Sequence, residues 1–285
     1  MTPSIGSLAS DLYLWPFQSF LRGPGNLDQS ARLPLAPKRA IIGPDEHHVP
    51  ADMNDVVGSI DIHVHPAGDP LRAPAPLPEW VESLVATTLD VVVITDHNAI
   101  STLDRLRGML DGRGPELVRG EEITTREGHL LGLGIDRLVA PHLALRDAIA
   151  AIHDAGGLAI VAHPLLPTRI SVSSGILRGI ADSDDRHRPD GVESFNPLAA
   201  RFPLQERRAR SLAAQLGLSI VGGSDAHLPG DLALGRTLFS GRSFVEFRRA
   251  VALGETSPEG EIYPFARTVR DGLGAFFSSR LRLRF

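Results

Sequence analysis

The chain has 285 residues, with 42% hydrophobic and 22% charged residues, no cysteine and a formal net charge of −5. This balance fits a globular protein of one or two domains and excludes a disordered chain, a coiled coil and a collagen-like fibre. Without cysteine there is no disulfide, thiolate metal site or cysteine nucleophile, and the negative charge gives no whole-molecule attraction to nucleic acid or anionic membrane.

Residues 1–56 carry many prolines (Pro16, Pro24, Pro34, Pro37, Pro44, Pro50) and no clear period, so they read as an N-terminal extension. Met1-Thr-Pro-Ser lacks the basic start and apolar stretch of a secretory signal, which makes the cytoplasm the default expectation. The longest apolar runs, 91–94 and 158–161, are too short to cross a bilayer. Residues 57–285 read as one domain. Strands are expected at 59–65, 91–95, 116–124, 129–135, 158–162, 191–195 and 218–222. Helices are expected near 78–89, 100–110, 143–155, 204–216 and 244–253. Residues 126–128 form a tight turn, and Gly156-Gly157 stops the third helix. The tail from Arg280 alternates like an edge strand. Most strands are separated by helices and are apolar on both faces, so the pattern is α/β, with βα units closing a largely parallel barrel.

The ends of these strands carry the chemistry. In order they bring Asp61-Ile-His63-Val-His65, Asp96-His97, Gly120-Glu121-Glu122, His129, His163-Pro164, Glu193 with Asn196, and Asp225-Ala-His227. In a βα barrel the C-terminal ends of the strands converge on one rim, where catalytic groups gather. Strand side chains alternate, so His63 and His65 point the same way, as do Asp225 and His227 if extended. Neutral imidazoles mixed with carboxylates suit zinc, manganese or iron. Each element alone has a plainer reading: Asp96 can cap the next helix, and a single His-x-His is usually filler. Their order and their placement at strand ends favour a metal site. Asp61 and Asp96 are candidates to orient histidines. The remaining histidines, His47, His48, His142, His153 and His187, read as solvated or structural, with His153 favouring its helix C-terminus.

This ordered set resembles the PHP (polymerase and histidinol phosphatase) superfamily, and within it the carbaryl-hydrolase-like subgroup, over roughly residues 59–239. The resemblance implies a distorted (β/α)7 barrel with two or three divalent metal ions at the C-terminal mouth. It implies that His63, His65 and Asp225 bind a first metal, that Glu122 bridges to a second completed by His129 and His163, and that His97 and His227 hold a third. The sequence departs from the family after His65, where His65-Pro-Ala-Gly-Asp69-Pro replaces the usual His-Thr-x-x-Ser-Asp-Gly. Asp69, one residue early, is the remaining candidate ligand of the third metal. Glu121 points away from Glu122 in a regular strand.

Two metals sharing a carboxylate lower the pKa of a water held between them, so hydroxide forms near neutral pH. Glu122, Asp225 and His227 are the catalytic candidates, the last two for handling protons. Arg169 and Arg201, each in a loop after a strand end, are candidates for an anion clamp, and Glu193 and Asn196 for lining the pocket. The expected activity is a phosphoesterase on a small phosphorylated metabolite or nucleotide, with no nucleic-acid or membrane partner. The alternatives are a carboxyl-type hydrolase of esters, amides or carbamates, and a non-catalytic metal-stabilised module.

Overall fold

The computed structural model describes residues 56–68, 74–202 and 204–262. The extension before residue 56, Asp69 and the tail from Arg280 lie outside these. All seven expected strands form: β1 (Val57–Val64), β2 (Val91–Ile94), β3 (Glu116–Thr124), β4 (His129–Leu133), β5 (Leu158–Val161), β6 (Gly191–Phe195) and β7 (Ser219–Gly222). Two more follow, β8 (Gly235–Ser240) and β9 (Ser257–Gly260). The helices are α1 (Leu77–Ala86), α2 (Thr102–Leu110), α3 (Leu145–Asp154), α4 (Ser174–Ala181), α5 (Gln205–Leu216) and α6 (Phe244–Leu253). The sequence pattern missed α4, β8 and β9.

The described strands form one sheet in the order β7-β6-β5-β4-β3-β2-β1-β8-β9. Here the expectation of a parallel seven-stranded barrel is corrected. β1, β2 and β3 are mutually parallel, as are β5, β6 and β7, but β4 runs antiparallel to both of its neighbours. β8 and β9 are also antiparallel to their partners. The four-residue connection from β3 to β4 is too short for a parallel crossover, which needs a dozen residues or more. The consequence matters for the site: the start of β4, with His129, lies at the same end as the C-terminal ends of its neighbours.

The sheet curls until β7 nearly meets the β8–β9 hairpin. Thr237 Oγ1 accepts the Gly222 N–H at 2.8 Å and donates to the Gly222 carbonyl at 2.9 Å, so one buried hydroxyl satisfies both backbone groups across the seam. The Thr256 hydroxyl donates to the Ile220 carbonyl, and Arg210 Nη2 to the Pro258 carbonyl. Backbones approach so closely here that a Cβ on Gly235 would fall 2.1 Å from the Gly223 oxygen.

Ile60, Ile62, Val91, Val93, Leu131, Leu133, Ile160, Val221 and Phe239 fill the interior together with Phe244, Phe247 and Val251 of α6. α6 closes the end opposite the histidines. The Phe244 N–H bonds Glu116 Oε2 at the start of β3, and Ser219 Oγ at the start of β7 donates to the Val251 carbonyl. Its entry is fixed by a capping box in which Ser243 and Glu246 satisfy each other's backbone N–H groups. α1 and α2 cover one outer face, through Trp80, Leu84, Leu103 and Leu106; α3, α4 and α5 cover another, through Ile149, Ile152, Leu177 and Leu212. No helix among the described residues is long and apolar enough to cross a membrane.

Candidate metal centre

Glu122 is the hub. Its Oε2 lies 3.4 Å from His63 Nε2, 3.3 Å from His65 Nε2 and 2.9 Å from His97 Nδ1. Its Oε1 lies 2.7 Å from His129 Nδ1 and 3.2 Å from His163 Nε2. Five imidazoles from four stretches of chain therefore meet one carboxylate that is only 1% exposed. Asp225 Oδ1 completes the group at 3.5 Å from His63 Nε2 and 3.2 Å from His65 Nε2. The rings of His65 and His227 stack at 4.4 Å, and those of His65 and His97 at 4.5 Å.

Local backbone structure explains this convergence. β1 slips register between Asp61 and Val64, and Thr95 Oγ1 takes up the Val64 N–H freed there. Two isolated bridges extend the sheet into the loops: His97 pairs with Glu122, and Val64 with Ala226. The His65 N–H reaches the Ala226 carbonyl and the Ala226 N–H the His63 carbonyl, which fixes the Asp225 loop to the His-x-His strand. Asp225 has a φ of 53° and His163 of 26°, conformations that cost an L-residue about 1–2 kcal/mol and persist where surrounding contacts enforce them. The chain is thus not extended at Asp225, so the condition under which Asp225 and His227 would share one strand face is not met. His227 approaches through a turn, with Nδ1 2.9 Å from the Asp225 carbonyl.

The electrostatics follow from burial among opposite charges. Burial disfavours ionised Glu122, but His129, His63 and His97 hold its carboxyl well below the usual range. Burial likewise opposes charge on His63, yet Glu193, Asp225 and Glu122 raise it well above an ordinary imidazole. His65, buried beside other imidazoles, is pushed down to about 3. His63 Nε2, both His65 nitrogens, His163 Nδ1 and Glu122 Oε2 are buried without a hydrogen-bond partner among protein atoms. Orphaned ring nitrogens packed round carboxylates fit divalent cations. Four groups offer ligand atoms within 4.8 Å of one another: His63, His65 and Glu122; His63, His163 and Asp225; His97, Glu122 and His129; His65, His97 and His227.

Other candidates fall elsewhere. Asp61 orients backbone rather than a ring: its oxygens accept the N–H groups of His63, Ser224 and Ala233, and burial lifts it to about 6. Asp96 accepts the Ala67 N–H. Glu121 faces the other side of β3, bonds the Val139 N–H and is pushed by burial up to about 7. Glu193 and Asn196 do not line an open pocket. Both are buried, Glu193 against His63, and Asn196 with Oδ1 accepting the Leu198 and Ala199 N–H groups. Arg169 is exposed in the loop after β5, one residue from the Ile170 carbonyl that binds the His129 N–H. The Arg201 side chain lies outside the described residues. His153 bonds Asp190 and the Arg186 carbonyl, away from the cluster.

A family model described as PHP-associated matches residues 203–256. Among solved structures, a two-domain protein containing a predicted PHP-like metal-dependent phosphoesterase, from Bacteroides vulgatus, superposes with a TM-score of 0.56 at 18% identity. That match covers 73% of this chain and 66% of the other. The chain shares a PHP-like fold. PsfC from Pseudomonas syringae matches with a TM-score of 0.52 at 18% identity, over 79% of this chain and 99% of its own. An uncharacterized protein of Methanocaldococcus jannaschii is 35% identical over 108 residues, 38% of this chain and 58% of that protein. This chain therefore spans somewhat over half the length of that curated relative.

Proposed function

We propose that this chain is a PHP-type metal-dependent hydrolase, and specifically a phosphoesterase acting on a small phosphorylated metabolite or nucleotide. The observation that carries the reading is the convergence of five imidazoles on Glu122 with buried ring nitrogens left without partners. Leaving such atoms unpaired is costly, and a divalent cation satisfies several at once. Two or three ions of zinc, manganese or iron suit the donors. His63, His65, Asp225 and Glu122 would hold one, Glu122 with His129 and His163 a second, and His97 and His227 a third, to which Asp69 is the further candidate. Bound ions would supply Lewis acidity and lower the pKa of a water to near neutral.

Substrate reaches this centre from the side where His97, Asp225 and His227 keep 21%, 17% and 18% of their side chains exposed, since His63 and His65 are fully buried. There Asp225 would act as a proton acceptor, and His227 would pass protons to and from the substrate. Burial works against an ionised Asp225, but His63, His65 and His227 keep its carboxyl well below the usual range, so it stays an anion. The divalent ions would offer open coordination positions to phosphate oxygens, which favours an anionic phosphate over a neutral carbamate. Arg169 and Arg201 are the proposed anion clamp.

Metal-loaded protein should cleave p-nitrophenyl phosphate or its bis ester faster than 1-naphthyl N-methylcarbamate. Cleavage of the carbamate alone would replace phosphoester with carboxyl-type chemistry, as the carbaryl-hydrolase-like resemblance suggests. Bound metal with no turnover of any of them would favour a non-catalytic module.

A further inference from the structure

One buried carboxylate has no part in the proposed chemistry, and its contacts assign it a different task within that metal-dependent reading. Glu193 lies in β6 with none of its surface exposed. Its Oε1 is 2.9 Å from His63 Nδ1, and its Oε2 accepts the His163 N–H at 2.8 Å. Asn196 Nδ2 donates to the same Oε2 at 3.4 Å. His63 and His163 share one of the candidate ligand groups, and His63 belongs to a second. His63 Nε2, on the far side of the ring, is the atom that faces Glu122 and Asp225.

We propose that Glu193 is a positioning residue of the metal centre. It holds the His63 ring through Nδ1 so that Nε2 is the coordinating atom, and it fixes the backbone from which His163 projects. A carboxylate on the outer nitrogen of a ligating imidazole sets the tautomer, locks the ring orientation and raises the basicity of the inner nitrogen. One residue thereby tunes two ligands at once. Room for the pair comes from Gly223, where a Cβ would lie 2.7 Å from His63 Cβ and 2.8 Å from Glu193 Oε1. Gly223→Ala therefore displaces the same pair without touching any charge.

The test uses the full chain, stripped of metal and titrated with Zn²⁺, and with Co²⁺ as a spectroscopic probe. Glu193→Gln keeps the side-chain volume and should weaken Zn²⁺ binding by about 10–100-fold, with a shifted Co²⁺ visible spectrum and unchanged far-ultraviolet circular dichroism. Gly223→Ala should move affinity and spectrum in the same directions. A purely structural role would lower the melting temperature and leave the Co²⁺ spectrum unmoved. Wild-type affinity and spectrum in both variants overturn the role of Glu193 while the metal reading stands. A wild-type chain that binds neither ion overturns both.

Discussion

The seam that closes the barrel makes a quantitative demand on one hydroxyl. Thr237 is fully buried and is hydrogen-bonded to both the N–H and the carbonyl of Gly222, the last residue of β7 before the Gly223–His227 loop. Thr237→Val preserves shape and strands both backbone groups. Each buried unsatisfied group costs about 1–3 kcal/mol, while removing the buried hydroxyl itself returns about 1 kcal/mol. The net loss is about 1–5 kcal/mol, and in a domain of this size each kcal/mol lowers the melting temperature by about 2–4 °C. Thermal unfolding of metal-free protein should therefore show a fall of roughly 2–20 °C for Thr237→Val. Thr237→Ser restores the hydroxyl and loses only a methyl, so it should fall by about 1 kcal/mol. A Thr237→Val protein melting within 2 °C of wild type, or a Thr237→Ser protein equally damaged, would refute the seam argument.

Three further expectations follow from the charges and contacts. In the metal-free chain, burial lowers the pKa of His63, His97 and His163, but neighbouring carboxylates, Glu122 common to all three, raise it above the ordinary imidazole value. Cation uptake should thus release protons, and affinity should keep climbing as pH rises past the ordinary imidazole value; calorimetry in buffers of different ionisation enthalpy would show a zero proton count if this is wrong. Away from the site, burial works against protonated His153, while its bonds to Asp190 and the Arg186 carbonyl raise its pKa. A raised histidine contributes stability that is full below about pH 6.5 and fades as pH rises through the folded value. His153→Gln should therefore cost about 1–2 kcal/mol at pH 5.5 and distinctly less at pH 9 by urea unfolding; an equal cost at both pH values would contradict it. Gly235→Ala, whose new Cβ would lie 2.1 Å from the Gly223 oxygen, should force the seam apart and lower both melting temperature and metal content; wild-type values in both would show that the seam tolerates the atom.

Much of this architecture was legible because local pattern and tertiary role agree. The β-branched run 91–94 is buried on both faces as a central strand should be, and Phe244–Leu253 forms with the predicted bounds and a capping box. The missed elements lack such agreement. β9 is Ser-Pro-Glu-Gly, a sequence with no strand preference, and it is strand only because β8 pairs with it. β8 follows a run of loop residues, and its alternation of buried and half-buried positions spans only six residues. The short 125–128 turn implies the antiparallel direction of β4, whereas the alternation of strands and helices elsewhere implies a parallel sheet. At the site, residue types at strand ends pointed to His63, His65, His97, Glu122, His129, His163, Asp225 and His227, and the fold brings all eight together. From sequence alone Glu193 reads as a pocket residue, because sequence shows only that it lies near a strand end. Which face of β6 it occupies, and that Gly223 leaves room for it beside His63, are facts of packing across the barrel.

The most direct measurement is elemental analysis of the purified full chain after incubation with zinc, manganese or iron, beside Glu122→Ala. At least two divalent ions per wild-type chain are expected, with that number falling below one when the shared carboxylate is removed. A wild-type chain that stays metal-free, or a Glu122→Ala chain that keeps its full complement, would contradict the account.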